Sequence, residues 1–225
     1  MAVRIKIIYD NIAQKGFITG WGFAAIIDFG KESILFDTGW SGPALLENLK
    51  TAKIDLKNIK YIVISHEHWD HLGGLASILD KTINTTTFVP TAFSSQLKAE
   101  ITRTSDLREV TPNEFVEIIP NVYATPQLST DIPNIHEISL LIETSKGNVL
   151  ICGCSHPSLG KIIETVKQKG NIYAVLGGFH GFKELEILED IKQIIPCHCT
   201  KMKDTIKERY PERTIECHSG LEIVF

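Results

Sequence analysis

Residues 62–74 read IVISHEHWDHLGG and hold three histidines and an aspartate, His66, His68, Asp70 and His71, within six positions. Neutral imidazole nitrogens and an ionised carboxylate are the donors that borderline divalent cations take. In front of them, Ile62, Val63 and Ile64 read as a buried strand that delivers these groups to its own C-terminal mouth. His66 and His68, two apart in extended backbone, project to one side, while Asp70 and His71 fall where the chain turns into a helix near Leu72. One short segment can therefore serve two neighbouring cations. The alternative is a polar loop whose histidines cap a helix, and four such groups directly after a buried-strand pattern argue against it.

Other candidates sit in equivalent places. The apolar stretch Asn148 to Cys152 leads into Gly153, Cys154, Ser155 and His156, and Pro157 then suits the start of a helix through Leu159, Ile162, Ile163 and Val166. Ile194 and Ile195 lead into Pro196, Cys197 and His198, with Thr200 able to cap a helix from near Lys201. Both histidines lie at strand-to-helix junctions, where binding residues collect on a rigid scaffold. Asp37, in LFDTG, either fixes a ligand imidazole through its second nitrogen or is a turn carboxylate. His180 follows Gly177 and Gly178, glycines that let backbone approach a ligand closely; it touches substrate or metal, or is a solvated loop histidine.

SHEHWDHLGG resembles the HxHxDH signature of the metallo-β-lactamase superfamily. ILFDTG (34–39), GCSHPS (153–158), GGFH (177–180) and PCHCT (196–200), in that order, are similar to the branch of 7,8-dihydropterin-6-yl-methyl-4-(β-D-ribofuranosyl)aminobenzene 5'-phosphate synthase and related metal-dependent hydrolases. The resemblance runs from about Ile34 to the C-terminus and implies an α/β fold, a four-layer αβ/βα sandwich of two mixed sheets flanked by helices. It further implies that His66, His68 and His156 hold one metal and Asp70, His71 and His198 a second. A water between two cations, zinc foremost with manganese or iron as alternatives, would then be the nucleophile, with Asp70 and His180 as the catalytic candidates.

The chain also departs from that pattern. Many members carry an aspartate after glycine where this chain reads Gly153, Cys154, so a bridging carboxylate would have to come from elsewhere, Asp131 or Glu137 being the nearest candidates. Lys201 and Gly181 replace a glycine and a hydrophobic residue typical of the branch at the pocket rim.

Composition sets the wider frame. At 225 residues with 43% hydrophobic and 22% charged side chains, the chain reads as one domain, 1–225, able to bury a sizeable core. Its 23 basic and 27 acidic residues give a formal charge of −4, with no basic stripe to follow a phosphate backbone, so nucleic acid is not an expected partner. Neither a signal peptide nor a membrane span is read from the sequence, which points to a cytoplasmic protein with a small-molecule substrate and room for homo-oligomerisation. Of five cysteines, four form the pairs Cys152/Cys154 and Cys197/Cys199, read as buried small apolar side chains in preference to a separate thiolate metal site.

To position these groups, periodicity predicts strands near 3–9, 23–29, 33–37, 59–65, 86–89, 114–125, 137–144, 148–152, 171–176, 193–197, 213–217 and 221–225. Helices are predicted near 42–51, 71–80, 91–101, 158–169, 184–192 and 201–209. The stretch 91–113, with Lys98, Arg103 and Arg108, reads as a modest cap whose cations are a solvated face or meet a substrate anion.

Three functions fit: hydrolysis of a small polar ester, lactone or phosphoester by a metal-activated water; group transfer like that of the synthase, with Trp21, Trp40, Trp69 and Phe179 lining an aromatic pocket; or a non-catalytic dimetal redox or metal-handling role.

Overall fold

A computed structural model of the chain describes residues 3–225. Its N-terminal half builds one sheet. Strands β1 (Arg4–Tyr9), β2 (Ala24–Asp28) and β3 (Ser33–Phe36) form a meander in which β2 is antiparallel to both its neighbours. After helix α1 (Gly42–Thr51), β4 (Ile59–Val63) pairs parallel with β3; the short helices α2 (Trp69–Leu72) and α3 (Leu75–Leu79) lead to β5 (Thr86–Pro90), and α4 (Ser95–Ile101) to β6 (Asp106–Val110).

The C-terminal half repeats the theme with β7 (Val116–Ile119), β8 (Val122–Ala124), a two-strand ribbon of β9 (Leu128–Ser129) and β10 (His136–Glu137), β11 (Leu140–Thr144) and β12 (Gly147–Cys152). Helix α5 (Leu159–Lys167) crosses to β13 (Ile172–Gly178), parallel to β12; β14 (Gln193–Cys197) is parallel to β13, and α6 (Lys203–Arg209) follows. The last strand, β15 (Glu222–Val224), returns to the first sheet beside β1. The sheet orders are β15-β1-β2-β3-β4-β5-β6 and β14-β13-β12-β11-β8-β7.

Period-two alternation explains the layering. On β2, Ala25 and Ile27 face a core shared with Val149 and Ile151 of β12, while Ala24 and Ile26 face Leu45 and Leu49 of α1. On β12, Leu150 and Cys152 turn the other way, toward Leu159, Ile162 and Val166 of α5. Strands buried on both faces read as unbroken apolar runs, and two such sheets back to back with helices outside make the four-layer αβ/βα sandwich. Helix entries follow their caps: Ser41 Oγ accepts from the Ala44 N–H and Ser158 Oγ from the Lys161 N–H. Among the described residues no helix is long and apolar enough to cross a membrane.

Several predicted elements differ. The 71–80 helix is two short helices, because Gly73 and Gly74 lie so close to the loop after β3 that a Cβ would stand 2.2 Å from the Trp40 carbonyl or 2.4 Å from that of Thr38. Over 184–192 only one 3₁₀ segment forms, Leu185–Leu188; its apolar Leu185, Leu188 and Ile191 are spaced by threes, the period of that tighter helix. The 213–217 strand is reduced to a single bridge between Ile194 and Thr214. The 114–125 strand folds into the β7–β8 hairpin, reversing at Asn121 in the left-handed region. Finally, 91–113 is not a cap: it contains α4 and the edge strand β6, whose charged outward residues hid its pattern. Lys98 pairs there with Glu109 and Arg103 with Glu100.

Candidate metal centre

Parallel strands β4, β12 and β14 all point their C-terminal ends to one edge of the sandwich, and that edge is where α/β sheets place their ligand sites. Asp37 ends β3 there with φ 55°, a left-handed conformation that an aspartate tolerates better than most residues. Its fully buried carboxylate accepts three hydrogen bonds: from the Ser65 N–H at 2.7 Å, from Ser65 Oγ at 2.8 Å and from His71 Nδ1 at 2.6 Å. Since the Ser65 hydroxyl is spent on Asp37, its oxygen accepts from His66 Nδ1 at 2.9 Å. Both imidazoles are thereby held in the tautomer that leaves Nε2 as a lone pair.

A second clasp holds His198. Asp10, at the end of β1, accepts the His198 backbone N–H at 2.7 Å, and Asn11 Oδ1 meets His198 Nδ1 at 2.9 Å, leaving Nε2 facing Asp70 Oδ2 at 3.1 Å. The ring of Trp21 stands edge-on to His198 with centroids 4.9 Å apart. A third clasp is Glu137, whose carboxylate collects the backbone N–H groups of Cys154, Ser155 and His156 at 2.8–2.9 Å and so shapes the turn carrying His156.

The free nitrogens converge. His68 Nδ1 lies 3.0 Å from His66 Nε2 and 3.2 Å from His156 Nε2. Beside this trio, His71 Nε2, His198 Nε2 and Asp70 Oδ2 form another, with Asp70 3.9 Å from His71 and 3.1 Å from His198. Thus all six residues expected as ligands meet in two adjoining groups of three.

Electrostatics suits this purpose. Burial, reinforced by the imidazoles of His71, His156 and His68, keeps His66 well below its ordinary value, and burial with His68 takes His156 down to about 3. His71 is the exception: burial opposes its charging, yet the Asp37 carboxylate lifts it to about 9. Asp70 is held below the usual carboxylate range, burial being outweighed by His198 and His71. The lone pairs of His66, His68 and His156, all disfavoured from charging, crowd together beside the ionised Asp70 carboxylate, a poor arrangement for an empty cavity and a good one for divalent cations, so the donor set fits such ions.

The other residues expected at the site lie outside these two groups. Glu137 does not bridge, because its oxygens are committed to the three backbone donors, and burial pushes its carboxyl up to about 7 even against them. Asp131 is exposed. His180 lies at the exposed rim, its ring 4.8 Å from that of His156, touching the ligand group without joining it. Phe179 packs with the core around α5, not in a pocket, whereas Trp21, Trp40 and Trp69 are exposed. Cys152, Cys197 and Cys217 are buried in the apolar cores or at their edge. Cys154 and Cys199 are different: their sulfurs lie 3.2 Å apart, and Cys154 Sγ is 3.1 Å from His71 Nε2. Hydrogen bonding from Cys154 pulls Cys199 well below the ordinary thiol range, while burial holds Cys154 above it.

Sequence reading missed Asp10, Asn11 and Ser65. The available signal for the first two was the one used elsewhere: an apolar strand, IKIIY, running into polar residues at its C-terminal end.

The Lactamase_B family model, described as the metallo-beta-lactamase superfamily, matches residues 22–182. The chain belongs to the metallo-β-lactamase superfamily. Its members typically bind divalent metals, and most are metal-dependent hydrolases. An uncharacterised protein of Methanocaldococcus jannaschii is 27% identical over 254 aligned positions, spanning 96% of this chain and 98% of that protein. The same organism's 7,8-dihydropterin-6-methyl-4-(beta-D-ribofuranosyl)-aminobenzene-5'-phosphate synthase is 28% identical, covering 87% of this chain and 85% of the synthase. Among solved structures, a metal-dependent hydrolase of the beta-lactamase superfamily superposes with a TM-score of 0.81 at 25% identity, over 98% of both chains.

Proposed function

We propose that this superfamily member is a metal-dependent hydrolase of a small polar ester, lactone or phosphoester, with two divalent cations held by His66, His68 and His156 and by Asp70, His71 and His198. The observation that carries this reading is the meeting of those six donors at 3.0–3.9 Å, from three distant stretches of chain. Such cations supply a water ionised near neutral pH and an electrophile for the substrate's oxygen. The protein's own part is orientation. Asp37, Ser65 and Asn11 fix which nitrogen of His71, His66 and His198 faces inward. Asp70, ionised and part-exposed, would orient that water by accepting a hydrogen bond from it, and His180 at the rim would contact the substrate.

A panel of lactones, phosphodiesters and thioesters, assayed with zinc, manganese and iron, tests this. Turnover of at least one class, lost in His68→Ala, is expected; silence across the panel with every metal would abandon the hydrolase reading.

Group transfer is the second reading. Three exposed tryptophans favour it: Trp21 against His198, Trp69 within the ligand segment itself, and Trp40, whose backbone carbonyl packs on Gly73. They offer stacking surfaces for a flat acceptor, and the synthase relative is a precedent. Here product should form only when a phosphorylated donor and an aminobenzoate-type acceptor are supplied together.

A further inference from the structure

Cys154 stands where the two groups of donors touch. Its sulfur belongs with His66 and His156 in one cluster and with His71 and His198 in the other, every ligand atom of each cluster lying within 4.8 Å of the others. No other residue is common to both. The backbone that carries it is fixed, since its N–H is one of the three held by Glu137 and the preceding Gly153 leaves no room for a Cβ beside Ser65 Oγ. Carboxylates do not fill the position: Asp70 reaches His71 and His198, Glu137 is spent on backbone donors, and Asp131 is exposed.

From this geometry we infer that Cys154 is a metal ligand shared by both cations, a thiolate bridge in place of a bridging carboxylate. The inference rests on the two-cation reading above. On binding, the Cys154 S–H proton leaves to solvent and the sulfur lone pairs turn to the two ions. A thiolate at the shared position selects softer, thiophilic cations, zinc, ferrous iron or cobalt, over manganese and magnesium.

Metal-free protein titrated with cobalt(II), followed by near-ultraviolet absorbance and by elemental analysis after desalting, tests the assignment. Expected are two cobalt ions per chain and a thiolate-to-cobalt charge-transfer band. In Cys154→Ser the band disappears and cobalt binding weakens by at least the roughly 10–100-fold that loss of a mere orienting contact costs; in Cys199→Ser the band persists. Cys154→Asp binds two ions without the band and takes manganese more readily than the parent protein does. Two bound cobalt ions with no band in the parent protein, or a band that survives in Cys154→Ser, overturns the assignment. Retention of no cobalt at all overturns it together with the two-cation reading. A band and two ions alongside a silent substrate panel leaves it standing and removes only the hydrolase reading.

Discussion

Asp37 shows how much of this site's chemistry is set by residues that touch no cation. Its carboxylate at 2.6 Å from His71 Nδ1 holds that ring's proton on the outward nitrogen, and the same group locks Ser65, which in turn orients His66. Asp37→Asn would present an amide N–H to His71 and move the ring proton to Nε2, turning an inward lone pair into a donor. The expected result is a fall of about 10–100-fold in affinity for the cation at Asp70, His71 and His198, read by competition with a chromophoric chelator. An unchanged affinity would remove Asp37 from the account. At this scale the sequence was legible where donors are contiguous, as in HEHWDH, and where a histidine ends an apolar strand. It was not legible for Asn11 and His198, which are 187 positions apart; only the fold makes them neighbours.

Elements meet at the site through very close backbone packing. Gly153, between β12 and His156, lies so near β4's exit that an alanine Cβ would stand 2.1 Å from Ser65 Oγ and 2.7 Å from Ser65 Cβ. Because that hydroxyl already bridges Asp37 and His66, it has nowhere to rotate. Gly153→Ala is therefore expected to cost about 1–3 kcal/mol by overpacking, lowering the melting temperature by roughly 2–4 °C for each kcal/mol in a chain of this size. Calorimetry on the metal-free form checks it, and a variant as stable as the parent would contradict the packing argument. Strands buried on both faces were readable because their apolar runs are continuous. By contrast β6 alternates charged residues outward at a sheet edge, and the Leu185–Leu188 turn has an apolar spacing shared by α- and 3₁₀-helices, so pattern alone misjudged both.

Across the whole molecule, the candidate ligands come from both halves of the sandwich: His66, His68, Asp70 and His71 follow β4 of the first sheet, His156 and His198 follow β12 and β14 of the second. Cations gripping both would tie the two layers together, and a ligand bound only by the folded state stabilises it by mass action. Removing metal with a chelator is expected to lower the melting temperature, by an amount that grows with the free metal concentration of the untreated sample. Equal melting curves with and without metal would mean that the ions do not bridge the halves. The layer order was legible because βαβ patterns recur in both halves; the return of β15 to β1 was not, since nothing local in EIV names its partner. The most direct test of the central claim is anomalous diffraction from zinc-soaked crystals. Two peaks roughly 3.5–4 Å apart are expected, one among His66, His68 and His156 and the other among Asp70, His71 and His198; no peak among these side chains, or zinc bound only elsewhere, would contradict it.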